Sequence, residues 1–382
     1  MEIRSLASFV ESLPGAHGLP GGRRALVDPG LPPARLTEAL KTLEGWGEAR
    51  GQFALQTGGT GGPVKFARHD EATLLAAVGG FRSHFGIEKV NTIELLPAHH
   101  VSGFMSRLRA WATGGRSIQQ EWRAWSAGAW DALPAGQGDW FCSLVPTQLA
   151  RLVGLPGAAT HLRRFHAILL GGGPLWPALE RRARELALPV CPCYGMTETA
   201  AMVTSALPGE FTTEDCGVGH SLPHASPSIE PVTGRVQIRS GSLFLGYVGG
   251  PERDGPFLTD DLGEIRGDGR LHILGRADDV VITGGRKVSL GWLEGVLRGA
   301  LALPALAVVA IPDPKWGETI VLCVPEPPPE GRLQEVLVGL EAHLRPKLLL
   351  VSAGAFSSET GKISRGALRD RAPAQAQPIT LR

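Results

Sequence analysis

The chain has 382 residues, too long for one compact core, so length alone points to two domains. Lys and Arg number 38 against 37 Asp and Glu, a net charge of +1 that argues against a general nucleic-acid or membrane-surface binder. Hydrophobic residues make up 43%, and the 51 Gly and 30 Pro mark turns rather than disorder, because apolar runs recur between them.

Residues 1–50 read as helical and weakly patterned, with breaks at Pro14-Gly15, Pro20-Gly21 and Pro32-Pro33. Residues 52–56 read as a strand entering a glycine-rich loop, and 65–68 as the strand leaving it. Asp70 and Glu71 open a helix, a favourable placement at the positive end of its dipole. Leu74, Leu75, Val78 and Phe81 supply its apolar face. Short apolar runs at 93–96, 140–145, 167–170 and 188–191 predict strands, with helix-period segments such as 147–153 and 177–186 between them. That alternation predicts a parallel sheet covered by helices.

After about residue 210 the pattern changes to short strands with glycine turns. Residues 263–266 and 271–274, joined by Gly267-Asp268-Gly269, predict a hairpin. Ser289 then caps a helix bearing Leu290, Leu293, Val296 and Leu297. Strands at 305–311 and 319–324 and a helix at 333–344 complete a small α+β unit. The expected fold class is α/β. A large N-terminal domain (1–276) holds parallel sheets with helices plus a small β-rich subdomain, and a small α+β C-terminal domain (277–382) follows.

The five cysteines are odd in number and sparsely spaced, which argues against a disulfide framework. Cys191-Pro192-Cys193 lacks the second close pair of a zinc site. They read as reduced thiols. The first fourteen residues lack a signal-peptide core, and no apolar run reaches the ~20 residues that span a bilayer. A cytoplasmic protein is expected.

The chemistry lies in motifs taken in order. In Thr57-Gly58-Gly59-Thr60-Gly61-Gly62-Pro63-Val64-Lys65, glycine fills four of nine positions. Such a backbone turns sharply enough for its N–H groups to converge on an anion, with two hydroxyls and one ammonium beside them. An ordinary glycine-rich turn is the alternative, and no Gly-Lys-Ser/Thr ends the loop as in a Walker A sequence. Glu198 in Tyr194-Gly195-Met196-Thr197-Glu198 is the metal candidate, since Mg²⁺ takes a few carboxylates plus phosphate oxygens. Asp261 in Thr259-Asp260-Asp261 suits a ribose diol, because a carboxylate accepts from both hydroxyls, and Arg276 joins it. A surface acid paired with a nearby arginine is the plainer reading of that pair.

These segments resemble the adenylate-forming superfamily of acyl-CoA synthetases, luciferases and peptide-synthetase adenylation domains. The loop is similar to Thr-Ser-Gly-Thr-Thr-Gly-x-Pro-Lys, and residues 194–198 to Tyr-Gly-x-Thr-Glu. Thr259-Asp260-Asp261-Leu262-Gly263 resembles Thr-Gly-Asp-Leu-Gly, and Gly275-Arg276-Ala277-Asp278-Asp279 resembles Gly-Arg-x-Asp-Asp. Glu359-Thr360-Gly361-Lys362-Ile363 resembles the terminal Gly-Lys neighbourhood.

The resemblance spans roughly 52–370 and implies ATP, Mg²⁺ and CoA as cofactors, with a small carboxylic acid as substrate. It implies phosphate contacts from residues 57–65 and Thr197, Mg²⁺ on Glu198, and adenine against Tyr194 and Gly171-Gly172-Gly173. It implies that Lys362 acts from the C-terminal domain on the charge gathering at phosphorus. It further implies a mobile C-terminal domain hinged at Asp278, with Gly284 and Gly285 lining a thiol tunnel.

Within that superfamily, residues 95–103, 143–149 and 281–285 resemble o-succinylbenzoate–CoA ligases of menaquinone biosynthesis. The 56 residues ahead of Thr57 agree with a compact form. His100 matches an acyl-pocket histidine, with a hydrogen-bonded structural histidine as the alternative. The second carboxylate of such an acid needs a partner, and Thr199, Thr204 and Ser205 are the hydroxyls near the metal motif. Departures are Gly58 and Gly61 in place of hydroxyl residues, Val64 before Lys65, and Asp260 in place of glycine. The rivals are a ligase for another aryl or short acyl acid, and a non-catalytic nucleotide-binding relative. The sequence allows a homodimer without requiring one.

Overall fold

A seven-stranded sheet frames the larger part of the chain in the computed structural model, which describes residues 5–19, 22–46, 52–57, 64–130, 139–212, 216–303, 305–353 and 365–380. From one edge, Ser117–Gln119, Asn91–Glu94, Trp140–Leu144, Ala167–Leu170 and Val190–Met196 run parallel. Ala201–Ser205 and His220–Ser221 extend it antiparallel. Parallel neighbours need crossovers, and the helices Val101–Thr113, Pro146–Val153 and Pro177–Glu185 lie in them. Ala167–Leu170 is buried at every position, as a strand covered on both faces must be. The parallel sheet expected from the alternation is therefore present.

The helix Glu71–Phe85 starts where the acidic pair predicts. The Asp70 side chain accepts from Thr73 N at 2.8 Å, the Thr73 hydroxyl accepts from Asp70 N at 3.1 Å, and Gly86 ends the helix at φ 64°. Leu74, Val78 and Phe81 are buried, but Leu75 is 38% exposed. One residue further round the helix, its side chain has left the covered face.

The first fifty residues differ from the helical reading. Two helices, Leu6–Glu11 and Pro33–Glu44, flank a pair of strands, Ala16–Leu19 and Arg23–Leu26. Arg23–Leu26 pairs in parallel with Phe53–Gln56, whose other neighbour is Phe66–His69, and Gly246–Tyr247 closes that sheet. The strands escaped the sequence reading because their apolar alternation is short and broken by His17-Gly18 and Arg23-Arg24. Partners distant in sequence decide their conformation.

A four-stranded antiparallel sheet follows, Ala225–Ile229, Arg235–Ser240, Phe257–Ile265 and Leu271–Arg276. The predicted hairpin is its last pair, extended so that Asp261 faces Arg276 in register. From Val280 onward a further sheet forms around Val280–Thr283, Arg286–Ser289, Ala307–Asp313, Gly317–Val324 and Leu348–Val351. Leu293, Leu297, Val308, Leu322 and Leu337 pack as one core there. Ser289 caps the helix Leu290–Leu301 as expected. The helix predicted over 333–344 is shorter, Glu330–Val338, because Gly339 ends it before a 3-10 turn at Ala342–Leu344. Among the described residues no helix is long and apolar enough to cross a membrane. All five cysteines are free.

One buried charge ties this last unit together. Glu294 is fully buried and accepts from Val308 N at 3.0 Å, with Arg298 at 2.7 Å and Arg365 at 2.8 Å. The Arg298 guanidinium also lies 5.3 Å over the ring of Trp176, beside the Pro177–Glu185 helix of the larger sheet. Removing the carboxylate strands a buried guanidinium. Glu294→Ala is expected to cost about 3 kcal/mol or more, read as a lower denaturant midpoint. An unchanged midpoint would show that the pair adds nothing.

Candidate active site

The carboxyl ends of the parallel strands converge on an open cleft of about 870 Å³, its mouth included. This is where open α/β sheets place ligands, and the size suits a small molecule. His100 and Val101 line it from the start of one helix, Gly171 and Gly172 from the end of Ala167–Leu170, and Gly195 and Thr197 from the end of Val190–Met196. Gly171 leaves room for its neighbour, because a Cβ there would fall a tight 3.0 Å from Cys193 Sγ. Gly172 is required by backbone, at φ 76°.

Three of the sequence-predicted residues, Tyr194, Asp261 and Arg276, are brought together in one cluster. The Tyr194 hydroxyl donates to Asp261 Oδ2 at 2.7 Å, and Arg276 reaches Asp261 Oδ1 at 3.4 Å. Burial and the Asp261 charge push the Tyr194 phenol up, so it remains a donor. Asp260, which stands where the resemblance expects glycine, pairs with Arg235 and with Arg276 at 3.6 Å. Asp261 thus presents an oriented carboxylate at the seam between two sheets.

Glu198 is the centre of a second cluster. Its Oε1 accepts from the Tyr247 hydroxyl at 2.7 Å, and Lys65 Nζ lies 5.6 Å over the Tyr247 ring. Burial and Glu198 push the Tyr247 phenol up. The pairing of Gly246–Tyr247 with the strand Phe66–His69 delivers Tyr247 to this point. Thr57 N donates to Lys65 O at 2.9 Å, which closes the base of the glycine loop beside it. Gly58, Gly59, Thr60, Gly61, Gly62 and Lys362 lie outside the described residues.

The turn carrying Thr197 and Glu198 is braced from below. His69 Nε2 donates to the Thr197 carbonyl at 2.8 Å. The Thr199 hydroxyl accepts from Met196 N at 2.9 Å and has the Met196 and Ala201 carbonyls within reach of its one proton. Ala200 at φ 49° and Ala201 at φ 72° occupy the left-handed region that L residues avoid, strain of the kind that marks functional turns. Gly195 is required beneath it, since a Cβ would fall 1.9 Å from Ala201 O.

Arg109 was not anticipated from the sequence. It lies on the buried face of Val101–Thr113, is 3% exposed and lines the cleft. Its guanidinium sits 4.2 Å over the ring of Phe81, and among the described residues neither Nε nor Nη2 has a hydrogen-bond partner. Burial lowers its pKa to about 10, with the Cys193 thiol beside it, so the cation persists at neutral pH. Thr199 and Ser205 are bonded to backbone, and neither they nor Thr204 line the cleft.

The AMP-binding enzyme family matches residues 53–248, more than half of the chain. The chain belongs to that family. It is 26% identical over 339 residues to the 2-succinylbenzoate–CoA ligase of Listeria monocytogenes, covering 86% of this chain and 72% of that one. The 2-methylpropanoate–CoA ligase CCL4 of Humulus lupulus is 32% identical over 263 residues, 59% of this chain and 47% of the hop protein. An E. coli MenE variant with bound OSB-AMS superposes with a TM-score of 0.70 at 26% identity, covering 90% of this chain and 80% of that one. The α/β fold is that of these enzymes.

The remaining sequence-predicted positions lie apart from the cleft. Gly173 follows the Gly171-Gly172 turn, packed near Pro146. Gly284 and Gly285 form the turn between Val280–Thr283 and Arg286–Ser289 at φ 57° and 77°, under Trp316. Asp278 lies in the 3-10 turn Ala277–Asp279 that follows Arg276.

His69 makes the brace sensitive to acid. It is fully buried, and burial lowers its pKa from 6.5 to about 4. Both states are neutral above pH 6.5, so the fold loses nothing there. Between 6.5 and 4 the unfolded chain binds a proton that the folded one refuses, and stability falls. From pH 7 to pH 5 the expected cost is about 2 kcal/mol for this group. Denaturant titrations of His69→Gln should show a pH 7-to-5 loss smaller by that amount. An identical loss would contradict it.

Proposed function

We propose that this chain is an AMP-forming acid–CoA ligase whose acid is 2-succinylbenzoate. The reading is carried by one observation: a buried arginine, two of whose nitrogens have no hydrogen-bond partner among the described residues, lines the same cleft as Thr197. A cation in that position calls for an anion on the ligand, since a buried unpaired charge is costly. A short apolar acid such as 2-methylpropanoate leaves it uncompensated. An acid with two carboxylates, one at Thr197 and one at Arg109, does not.

ATP then lies with its ribose diol on Asp261, whose orientation Tyr194 and Arg276 fix, and with adenine near Gly171-Gly172-Gly173 and the Tyr194 ring. Its phosphates face residues 57–65 and Thr197. Glu198 suits Mg²⁺ because it offers one held carboxylate. Phosphate oxygens and water complete the shell that Mg²⁺ prefers. Bound there, the ion supplies neutralisation of phosphate charge.

In the first step the succinyl carboxylate attacks the α-phosphorus, and the bond to the bridging oxygen breaks to release pyrophosphate. Thr197 orients the phosphate, His100 packs against the acyl portion, and Lys362 steadies the charge on the acyl and bridging oxygens. In the second step the CoA thiol, losing its proton to solvent, attacks the acyl carbonyl and AMP leaves. We place the domain boundary at 276/277, with Asp278 as the hinge and Gly284 and Gly285 beside the thiol arm. The separate sheet from Val280 onward supports that boundary. Five free thiols agree with a reducing, cytoplasmic setting.

Arg109→Met is expected to lower kcat/KM for 2-succinylbenzoate by roughly a hundredfold or more. The same change should leave 4-oxo-4-phenylbutanoate, which lacks the ring carboxylate, no worse a substrate. Pyrophosphate release with both acids measures this, and an equal fall for both would refute the assignment. Lys362→Ala should abolish adenylation while thioester formation from supplied acyl-adenylate survives. Equal loss of both half-reactions would remove Lys362 from its proposed role.

A further inference from the structure

One wall of the cleft comes from a single stretch of chain. Leu96, Pro97, His100, Val101 and Ser102 line it, from the turn after the strand Asn91–Glu94 and from the start of the helix Val101–Thr113. Residues 95–100 are neither strand nor helix, so no ladder of backbone bonds sets their position. A buried arginine on the helix does. Arg107 Nη1 donates to the Leu96 carbonyl at 3.0 Å and to the Gly103 carbonyl at 3.0 Å, and its Nε lies 2.7 Å from Glu94 Oε2. One guanidinium joins the last residue of the strand, the turn that follows and the first turn of the helix.

The surroundings are built for that clamp. Gly103 lets turn and helix close up, since a Cβ there would fall 2.1 Å from the Pro97 carbonyl oxygen and 2.6 Å from that of Leu96. Glu94 is itself held, for its Oε1 accepts from the Ser117 hydroxyl on the edge strand Ser117–Gln119. Arg107 and Glu94 are each 8% exposed, and neither lines the cleft.

We propose that Arg107 is a positioning residue for the acid, fixing the wall at 96–102 against which the acyl portion packs. The inference rests on the functional reading above and deepens it. Holding a carboxylate and a turn carbonyl at once suits the planar fork of a guanidinium, and an ammonium drawn to Glu94 is a point charge without that spread. The same helix carries Arg109 two residues on, so the clamp also sets how this wall stands against that cation. The groups assigned to ATP, Tyr194, Glu198 and Asp261, lie on other strands and turns. Arg107 therefore bears on the acid and not on the nucleotide.

The test is Arg107→Lys in the full chain, which keeps a cation beside Glu94 and loses the fork. Pyrophosphate release is measured at varied 2-succinylbenzoate and at varied ATP, with the denaturant midpoint alongside. The KM for the acid is expected to rise about tenfold, the worth of one hydrogen bond from a charged donor. The kcat and the KM for ATP should stay as they are. Glu94→Gln keeps an acceptor for Arg107 and leaves the Leu96 bond in place, so it should lower the midpoint without moving the KM for the acid. Where Arg107→Lys folds poorly, Glu94→Leu combined with Arg107→Met removes both buried charges together and should show the same rise for the acid alone.

A lower midpoint in Arg107→Lys with both KM values unchanged would make the arginine structural only and overturn the proposal. Equal rises for acid and ATP, or as large a rise for the acid in Glu94→Gln, would overturn it too. The series is repeated with the acid that wild-type protein turns over best. Wild-type protein that prefers another acid to 2-succinylbenzoate would sink the functional reading. No acid-specific rise with the preferred acid would sink this inference alone.

Discussion

A carboxylate that is to hold a sugar or a metal ion must first be held itself. The chain has two tyrosines, and each hydroxyl is bonded at 2.7 Å to one of the two acids singled out from the sequence. Tyr194, on the central sheet, holds Asp261 on the antiparallel sheet. Tyr247, on the N-terminal sheet, holds Glu198 in the turn that leaves the central one. Three sheets are thereby pinned to one another at the cleft. Neither phenol ionises near neutral pH, since burial and the adjacent acid both oppose it. The donors are permanent.

The backbone around Glu198 obeys the same constraint. A turn with two alanines in the left-handed region does not form for its own sake. It is held by the His69 bond to the Thr197 carbonyl, by the Thr199 hydroxyl, and by Gly195, where any side chain would strike the next strand. The cleft combines a strained, braced turn beside the proposed metal carboxylate with Arg109, two of whose nitrogens have no hydrogen-bond partner among the described residues. Bracing at the turn and an open demand for charge at the arginine are what a two-headed acid requires.

Much of this was legible in the sequence. The parallel sheet followed from apolar runs at regular spacing, the Asp70 cap from its acidic pair, and the candidate carboxylates from motifs that resist chance when they occur in order. What was not legible depends on contacts between distant segments. Arg23–Leu26 is a strand because Phe53–Gln56 lies beside it. Tyr247 reads as one aromatic among many until the pairing with Ala67 carries it to Glu198. Arg109 is hidden for another reason. Its neighbours Leu108 and Ala110 announce a buried helix, and a periodicity argument then assigns the arginine to solvent.

The most direct measurement is a crystal structure of the chain with the 2-succinylbenzoyl sulfamoyl adenosine bound. The account predicts the ribose hydroxyls within hydrogen-bond reach of Asp261 and the aryl carboxylate against the guanidinium of Arg109. A ligand with its ribose elsewhere, or with Arg109 turned away to a protein carboxylate, would contradict it.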